Sequence, residues 1–185
     1  MKRLNRLVLS VFLVLVPGLL YAQQANNSII RFGLIADVQY GNCEDRGTRF
    51  YQASLLKLDI CIADLNTQDV DFTLHLGDII DRDFTDIEQP LKVFDKHTAP
   101  VYHITGKHDY SGITDNDVLY KKLHMPGEYY SFQKNGWRFI FLNTNEIASY
   151  SNVSGTDKEK ELEVLMHHIK SEGRKTGQPW NGGIS

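Results

Sequence analysis

Three short stretches of the sequence carry carboxylate, amide and imidazole side chains that could perform metal-assisted hydrolysis. They are Asp37-Val38-Gln39, Gly77-Asp78 and Gly106-Lys107-His108-Asp109. Carboxylate and amide oxygens suit a hard or borderline divalent metal ion, and a histidine beside them can donate a proton. Together the three stretches predict a hydrolytic site that holds two metal ions.

Aspartates also cap helices and turns, so each stretch alone has a simpler explanation. Asp37 and Asp78 could both serve only as caps. The metal site is favoured because all three stretches follow consecutive predicted strands. Asp81 and Asp83 could support the site by contacting its ligands, but a solvated acidic turn after the strand is the simpler expectation.

The elements that would position these residues alternate between strand and helix. Apolar runs rich in β-branched residues predict strands over residues 28–37, 70–76 and 101–105. Apolar residues at helical spacing predict helices over residues 50–66 and 86–97. This alternation indicates an α/β fold with parallel strands and right-handed crossovers, whose sites lie at the carboxyl ends of the strands.

The pattern changes after residue 114. Aromatic stretches at residues 129–133 and 137–143 predict two strands, and the intervening Lys134-Asn135-Gly136 suits a tight hairpin. We expect this hairpin to make the sheet mixed. An apolar stripe predicts a surface helix over residues 157–171.

Four of the six other histidines have structural explanations. His75 and His103 lie inside predicted strands, where we expect them to pack with one hydrogen bond each. His167 and His168 lie on the predicted final helix and are expected at its surface.

Residues 1–22 have the layout of a secretory signal peptide. Three cations precede an apolar run of 14 residues (7–20), and Leu20-Tyr21-Ala22 suits cleavage after Ala22. The alternative is an uncleaved anchor, but a membrane span needs about 20 apolar residues. We therefore expect a periplasmic or secreted domain of residues 23–185 without a stable membrane anchor.

Composition and charge narrow the function classes. The chain has 185 residues, 42% hydrophobic and 23% charged, which predicts one globular domain rather than a disordered, collagen-like or disulfide-knot protein. Loss of residues 1–22 would leave 17 basic and 23 acidic residues, a net charge of −6. Nucleic-acid binding is not expected. Cys43 and Cys61 could form a disulfide or remain thiols, and both alternatives stay open.

The three stretches resemble the motifs of the calcineurin-like metallophosphoesterase superfamily, which read Asp-x-His or Asp-x-Gln, Gly-Asp, and Gly-Asn-His-Asp or Gly-Asn-His-Glu. Here they read ADVQ, LGDIID and GKHD. Within the superfamily, the sequence particularly resembles the manganese-dependent ADP-ribose/CDP-alcohol diphosphatases. Their first motif has glutamine, and Arg49-Phe50-Tyr51 resembles the start of their first helix. The likeness continues through residues 142–145 and 181–185.

The resemblance implies a four-layer α-β-β-α sandwich with mixed sheets and a metal-dependent hydrolase of phosphodiester or nucleotide-diphosphate bonds. Asp37 and Gln39 would hold one metal ion, and Asp78 would bridge two. His108 would protonate the departing oxygen, with Asp109 orienting it. The resemblance implies two divalent ions, preferably manganese, with iron, zinc or magnesium as alternatives, and a small phosphorylated, nucleotide-like substrate.

Two features depart from this family pattern. Lys107 stands where the family has a metal-ligating asparagine, and a protonated ammonium has no lone pair and repels a divalent ion. After Asn143 the sequence has neither a strand that ends in histidine nor a Gly-His-x-His motif. We therefore expect an incomplete second metal site and the N-terminal portion of the domain, either cut from a longer protein or a natural remnant.

Three functions fit these observations. The first is an exported metal-dependent phosphoesterase. The second is a catalytically inactive remnant or pseudoenzyme with at most weak metal binding. In the third, Lys107 takes the place of a metal ion by pairing with Asp37 or Asp78.

Overall fold

A parallel three-stranded sheet lies at the centre of the fold. In the computed structural model, which describes residues 29–173, the strands are β1 (Phe32–Ile35), β2 (Phe72–His75) and β3 (Val101–His103), in the order β1-β2-β3. Both pairings are parallel, as expected. Each strand is shorter than the apolar run that predicted it, because these runs continue into the turns that carry the polar residues.

Two helices cover one face of this sheet. The first, α1 (Ala53–Leu65), buries Leu58 and Ile62 and packs so closely on β1 that a Cβ at Gly33 would lie 2.9 Å from the Leu65 side chain. Cys61 of α1 and Cys43 are free thiols, so the structure contains no disulfide between them. The amphipathic helix predicted at residues 50–66 is confirmed with slightly shorter bounds.

The second covering helix is shorter than predicted. A 3₁₀ turn, Phe84–Ile87, precedes α2 (Glu88–Phe94). Pro90 lies in the first turn of α2, where a missing N–H costs nothing because that group has no helical partner. The Phe94 ring packs edge-on against two strand histidines, with centroids 5.2 Å from His75 and 5.1 Å from His103.

The predicted hairpin forms a sheet of its own. Strands β4 (Tyr130–Lys134) and β5 (Trp137–Phe141) pair antiparallel, with Lys134 opposite Trp137. Asn135 and Gly136 have φ values of 50° and 83°, as a tight primed turn requires. In the described chain the parallel and antiparallel pairings therefore lie in separate sheets instead of in one mixed sheet.

An aromatic layer joins the two sheets. The buried Phe72 ring lies at its centre, with neighbouring ring centroids between 4.9 and 5.9 Å away; those neighbours are Phe32, Tyr102, Phe132 and Phe139. Such offset and edge-on pairs each add about 0.5–1.5 kcal/mol beyond area burial. The described residues thus form helix, sheet and sheet layers, and the predicted α/β class is confirmed.

Two further helices complete the described chain. The short α3 (Asn116–Lys122), which the sequence analysis did not predict, is capped by the Asp115 side chain and buries Leu119 completely. The last helix, α4 (Asp157–Ser171), has the predicted bounds and no buried residue. His167 and His168 are exposed on it, as expected.

Among residues 29–173, none of the helices has the length and apolar character needed to cross a membrane. The predicted signal peptide and the motif at residues 181–185 lie outside the described residues.

Candidate metal centre

The predicted metal ligands follow β1 and β2 at the same edge of the parallel sheet. Two backbone hydrogen bonds join their loops, from Asp37 N–H to the Gly77 carbonyl at 3.1 Å and from Gln39 N–H to the Asp78 carbonyl at 2.8 Å. The Gln39 side-chain amide also donates to Asp37 Oδ1 at 3.2 Å. The structure therefore brings Asp37, Gln39 and Asp78 together, as the sequence predicted.

All three candidate ligands have left-handed backbone conformations. The φ angles are 55° at Asp37, 47° at Gln39 and 56° at Asp78. A non-glycine residue in this region costs on the order of 1–3 kcal/mol, and such strain concentrates at functional sites. The residue that caps a helix usually has an extended conformation, so helix capping does not account for this backbone, whereas a turn does accommodate an aspartate with positive φ.

Two glycines allow the loops to approach each other. A Cβ at Gly77, whose φ is +93°, would lie 2.3 Å from the Gly106 nitrogen, and a Cβ at Gly106 would lie 2.2 Å from Asp78 Oδ1. Both distances are too short for any side chain. The glycines of the second and third motifs are therefore needed for loop contact.

Asp109 joins the second and third loops. It is completely buried, and its carboxylate accepts N–H groups from Asp78 at 2.9 Å, Ile79 at 2.8 Å and Gly106 at 2.8 Å. Burial raises the pKa of Asp109 to about 7, and the backbone hydrogen bonds act in the opposite direction. Asp109 is expected to orient the His108 ring, but the hydrogen bonds of the described residues include no such contact. Both carboxylate oxygens of Asp109 accept backbone N–H groups instead.

His108 is oriented by Asp81 instead. Its backbone N–H donates to Asp78 Oδ1 at 2.8 Å, which fixes the residue beside a candidate ligand. Its ring Nδ1 lies 2.9 Å from the Asp81 carbonyl oxygen and 3.5 Å from Asp81 Oδ1. Because a carbonyl only accepts, this contact assigns a proton to Nδ1 and leaves Nε2 as the nitrogen that can exchange a proton with substrate.

Asp81 is buried, so the expectation that it lies in a solvated turn is wrong for this residue. Its side chain is 3% exposed, and it pairs with Arg49 at 2.8 Å and Arg82 at 3.4 Å. One feature of the sequence indicates a role for Asp81, its position three residues after Asp78. Its burial could not be predicted, because it depends on pairing with Arg49, which lies 32 residues away in the chain. Asp83 instead caps the 3₁₀ turn, accepting the Thr85 N–H at 2.8 Å.

A cationic recess adjoins Asp81. Its volume is about 500 Å³, and its lining residues include three arginines and one tyrosine: Arg46, Arg49, Arg82 and Tyr51. The Arg82 guanidinium donates to the Tyr51 hydroxyl at 3.1 Å and lies 5.4 Å from the centroid of that ring. Planar guanidinium groups of this kind bind phosphate oxygens well.

Lys107 does not replace a metal ion by pairing with the candidate ligands. Its ammonium lies over the Tyr150 ring, 5.7 Å from the centroid. No ion pair within residues 29–173 joins Lys107 to Asp37 or Asp78. The third function considered above is therefore not the arrangement found.

By the chemistry of their side chains, Asp37, Gln39 and Asp78 could hold one divalent ion. Asp37, Gln39 and Asp78 offer oxygens of the kind that manganese and magnesium prefer, whereas Lys107 offers no lone pair. Within residues 29–173 no three histidine, cysteine, aspartate or glutamate side chains are grouped to hold a metal. The Gln39 amide oxygen is therefore needed to complete a three-residue site.

Several curated relatives that the chain matches carry the same protein name. The chain is 28% identical to the manganese-dependent ADP-ribose/CDP-alcohol diphosphatase of Homo sapiens, covering 78% of this chain and 52% of that protein. It is 29% identical to the protein of the same name from Danio rerio, covering 83% and 55% respectively. The chain thus spans about half the length of the curated relatives it matches.

Structural comparison agrees at the level of the fold. The crystal structure of a dimetal phosphatase from Danio rerio superposes with a TM-score of 0.68 at 20% identity, covering 86% of this chain and 62% of that one. Residues 30–181 match the family model of calcineurin-like phosphoesterases. Since this match spans most of the sequence and includes all three motifs, the chain belongs to the calcineurin-like phosphoesterase family.

Proposed function

We propose that this chain forms part of an exported metal-dependent phosphoesterase that hydrolyses a phosphodiester or nucleotide-diphosphate bond. The observation that carries the proposal is the meeting of three strained oxygen donors, Asp37, Gln39 and Asp78, with His108. Family membership and the names of the relatives support the reaction class and the use of a divalent metal.

Asp37, Gln39 and Asp78 would hold the first metal ion. When bound, a divalent ion supplies positive charge that stabilises the transition state of phosphoryl transfer. Manganese is the proposed metal, with iron, zinc and magnesium as alternatives. The second position would retain only Asp78, because Lys107 cannot ligate and would repel a cation there.

His108 would act as the general acid. Its Nδ1 proton is held by the Asp81 carbonyl, so the proton delivered to the departing oxygen would come from Nε2. The Asp81 carboxylate also lies 3.5 Å from Nδ1, so the carbonyl and the side chain of Asp81 together orient the ring. Asp109 would hold the two loops in register without touching substrate.

The substrate is proposed to be a small, phosphorylated, nucleotide-like molecule. The recess with Arg46, Arg49 and Arg82 could bind a second phosphate beside the reacting one. We also propose export to the periplasm or the extracellular space, on the basis of the signal-peptide pattern in residues 1–22.

Hydrolysis assays test the enzymatic proposal. The purified chain is stripped of metal, supplied separately with Mn²⁺, Mg²⁺ or Zn²⁺, and given ADP-ribose, CDP-choline or an aryl phosphodiester. We expect manganese-dependent turnover that Asp78→Asn abolishes and Asp69→Asn retains. Asp69 is a matched control because it also has a positive φ, of 50°, but lies outside the site.

The alternative is an inactive family member that binds one metal ion weakly, and Lys107 is the observation that favours it. It predicts no hydrolysis of any of these substrates under any divalent metal, although Mn²⁺ still binds. That result would overturn the enzymatic proposal and leave the metal site intact.

A further inference from the structure

The Lys107 side chain leaves the backbone directly beside a candidate metal ligand. The residues on both sides of Lys107 contact Asp78: His108 donates its N–H to Asp78 Oδ1 at 2.8 Å, and Gly106 packs so closely that it has no room for a Cβ. A lysine carries its charge on a flexible four-carbon stem with three donors. The Asp78 carboxylate is therefore an electrostatically favourable partner for the Lys107 ammonium.

A Lys107–Asp78 ion pair would compete with metal binding. The ammonium would take up carboxylate lone pairs and place a positive charge where a divalent ion must bind. In the structure the ammonium instead faces the Tyr150 ring at 5.7 Å, a cation–π distance.

The Tyr150 ring is itself fixed in place. Its hydroxyl donates to the buried Asn145 side-chain oxygen at 2.7 Å. The other end of the Asn145 amide donates to the Thr105 carbonyl at 2.8 Å. Tyr150 is thereby anchored to the same segment from which Lys107 projects, so ring and ammonium keep a defined relation.

We propose that Tyr150 is a positioning residue that holds the Lys107 ammonium away from the metal-binding carboxylates, with Asn145 fixing the ring. This inference rests on the proposed metal site and assigns a residue that controls its availability. Lys107 then lies at the margin of the site, and Asp78 and Asp37 remain free for a divalent ion.

Manganese titrations test this positioning role. Isothermal titration calorimetry is carried out on the wild-type chain, Tyr150→Leu, Lys107→Gln and the double variant. We expect Tyr150→Leu to weaken Mn²⁺ binding about two- to fivefold, the equivalent of an exposed cation–π contact. The double variant should bind Mn²⁺ as tightly as Lys107→Gln, because no ammonium remains to compete.

The chain offers a matched control. Lys158 lies over the Tyr129 ring, also at 5.7 Å, in a contact away from the candidate ligands. Tyr129→Leu should therefore leave Mn²⁺ affinity unchanged. Tyr150→Phe keeps an aromatic ring and should retain most of the affinity, and Tyr150→Met is a second ring-free variant should the leucine variant fold poorly.

A metal-free measurement checks the contact itself. Protons on the Lys107 ε-carbon should show an upfield ring-current shift by NMR in the wild-type chain, and this shift should disappear in Tyr150→Leu or Tyr150→Met. Absence of the shift in the wild type would overturn the proposal.

The two proposals fail in distinguishable ways. A wild-type chain that shows the ring-current shift but binds no Mn²⁺ would overturn the proposed metal site. If the wild type binds Mn²⁺ and the ring-free variants bind it equally well, the positioning role is wrong. Weakening of the same size in the Lys107→Gln background would also overturn it, since the effect would not act through the ammonium.

Discussion

Asp81 organises more of the site than its sequence context indicates. One buried carboxylate receives Arg49 and Arg82, and the same residue contacts the His108 ring through its carbonyl and its side chain. The cations compensate the cost of burying the charge. Asp81 therefore links the cationic recess to the proposed general acid.

Replacing Asp81 with asparagine should slow catalysis without removing the metal. The variant loses the carboxylate that pairs with Arg49 and Arg82 and helps to orient the His108 ring, while the backbone carbonyl that holds Nδ1 remains. We expect kcat to fall by about 10- to 100-fold, part of the usual contribution of general acid–base catalysis. The matched control is Asp83→Asn in the same turn, and an equal loss in both variants would contradict the assignment.

Lys107→Asn tests the departure from the family motif. Exchange of the ammonium for an amide removes a repulsive charge and supplies an oxygen donor. We expect manganese-dependent turnover to rise at least about threefold. Lys160→Gln on the exposed face of α4 serves as the control, and an unchanged rate in Lys107→Asn would mean that position 107 does not limit activity.

At the scale of elements, the close approach of the second and third loops determines where Asp78 lies. Gly106→Ala should displace Asp78, because the new Cβ would lie 2.2 Å from its Oδ1. We expect a loss of about 1–3 kcal/mol in unfolding free energy, typical of overpacking, together with weaker Mn²⁺ binding. At Gly127 a Cβ would meet only a carbonyl at 3.9 Å, so Gly127→Ala should change neither quantity by a comparable amount.

The strands β2 and β3 contain a buried imidazole pair, which makes stability depend on pH. His75 and His103 approach each other through Nδ1 atoms 3.2 Å apart, and His75 Nε2 has no hydrogen-bond partner. Burial lowers the pKa of His75 well below its usual value and that of His103 to about 4. The charged or titratable groups around the adjacent cavity are Glu88, Asp95, His97, Lys121, Lys122 and His124.

Both histidines have a lower pKa in the folded chain than in the unfolded chain, where it is about 6.5. The folded state is therefore most stable above about pH 6.5, and this stability is lost as the pH falls toward 4. Between pH 7.5 and 5.5, each histidine should lower the free energy of unfolding by roughly 1 kcal/mol. Asp109 acts with the opposite sign, since its pKa is raised by burial. Urea unfolding of the wild type and His75→Leu at both pH values isolates the effect of one histidine.

Over this interval we expect the free energy of unfolding of the His75→Leu chain to fall by roughly 1 kcal/mol less than that of the wild type. His167→Leu, at an exposed position of α4, should leave the pH dependence unchanged. Identical pH dependence in the wild type and His75→Leu would show that the imidazole pair is not held neutral.

The sequence predicted elements better than contacts between them. Apolar runs located all three parallel strands, and Asn135-Gly136 located the hairpin, because both signals are local. Helix α3 was missed because seven residues are too few for helical periodicity to be recognised. Burial of Asp81 and the Lys107–Tyr150 contact depend on residues far apart in the chain that carry no shared motif.

At the scale of the whole molecule, the described residues form a layered structure in which several large apolar side chains are exposed. Leu34, Leu76, Ile140 and Leu142 are between 42% and 65% exposed. The chain spans about half the length of the curated relatives it matches. Single exposed apolar side chains are common on folded proteins, and only a contiguous patch of several hundred Å² would indicate an interaction surface.

Export is the prediction that belongs to this scale. Expression of the chain in a host with a general secretory pathway should give a mature protein that begins at Gln23. N-terminal sequencing and intact mass of the exported fraction measure this directly. Retention of the uncleaved chain in the membrane fraction would instead support an N-terminal anchor.

The order of strands has a consequence for folding kinetics. The β4–β5 hairpin closes through a two-residue turn, and hairpins of this kind form in about 1–10 μs. Pairing of β1 with β2 brings Phe32 beside Phe72 and must first close the long segment that contains α1. When the whole chain refolds, we therefore expect the hairpin to form early with its aromatic face unprotected and to dock against Phe72 late, and we expect aggregation to be most pronounced in this interval.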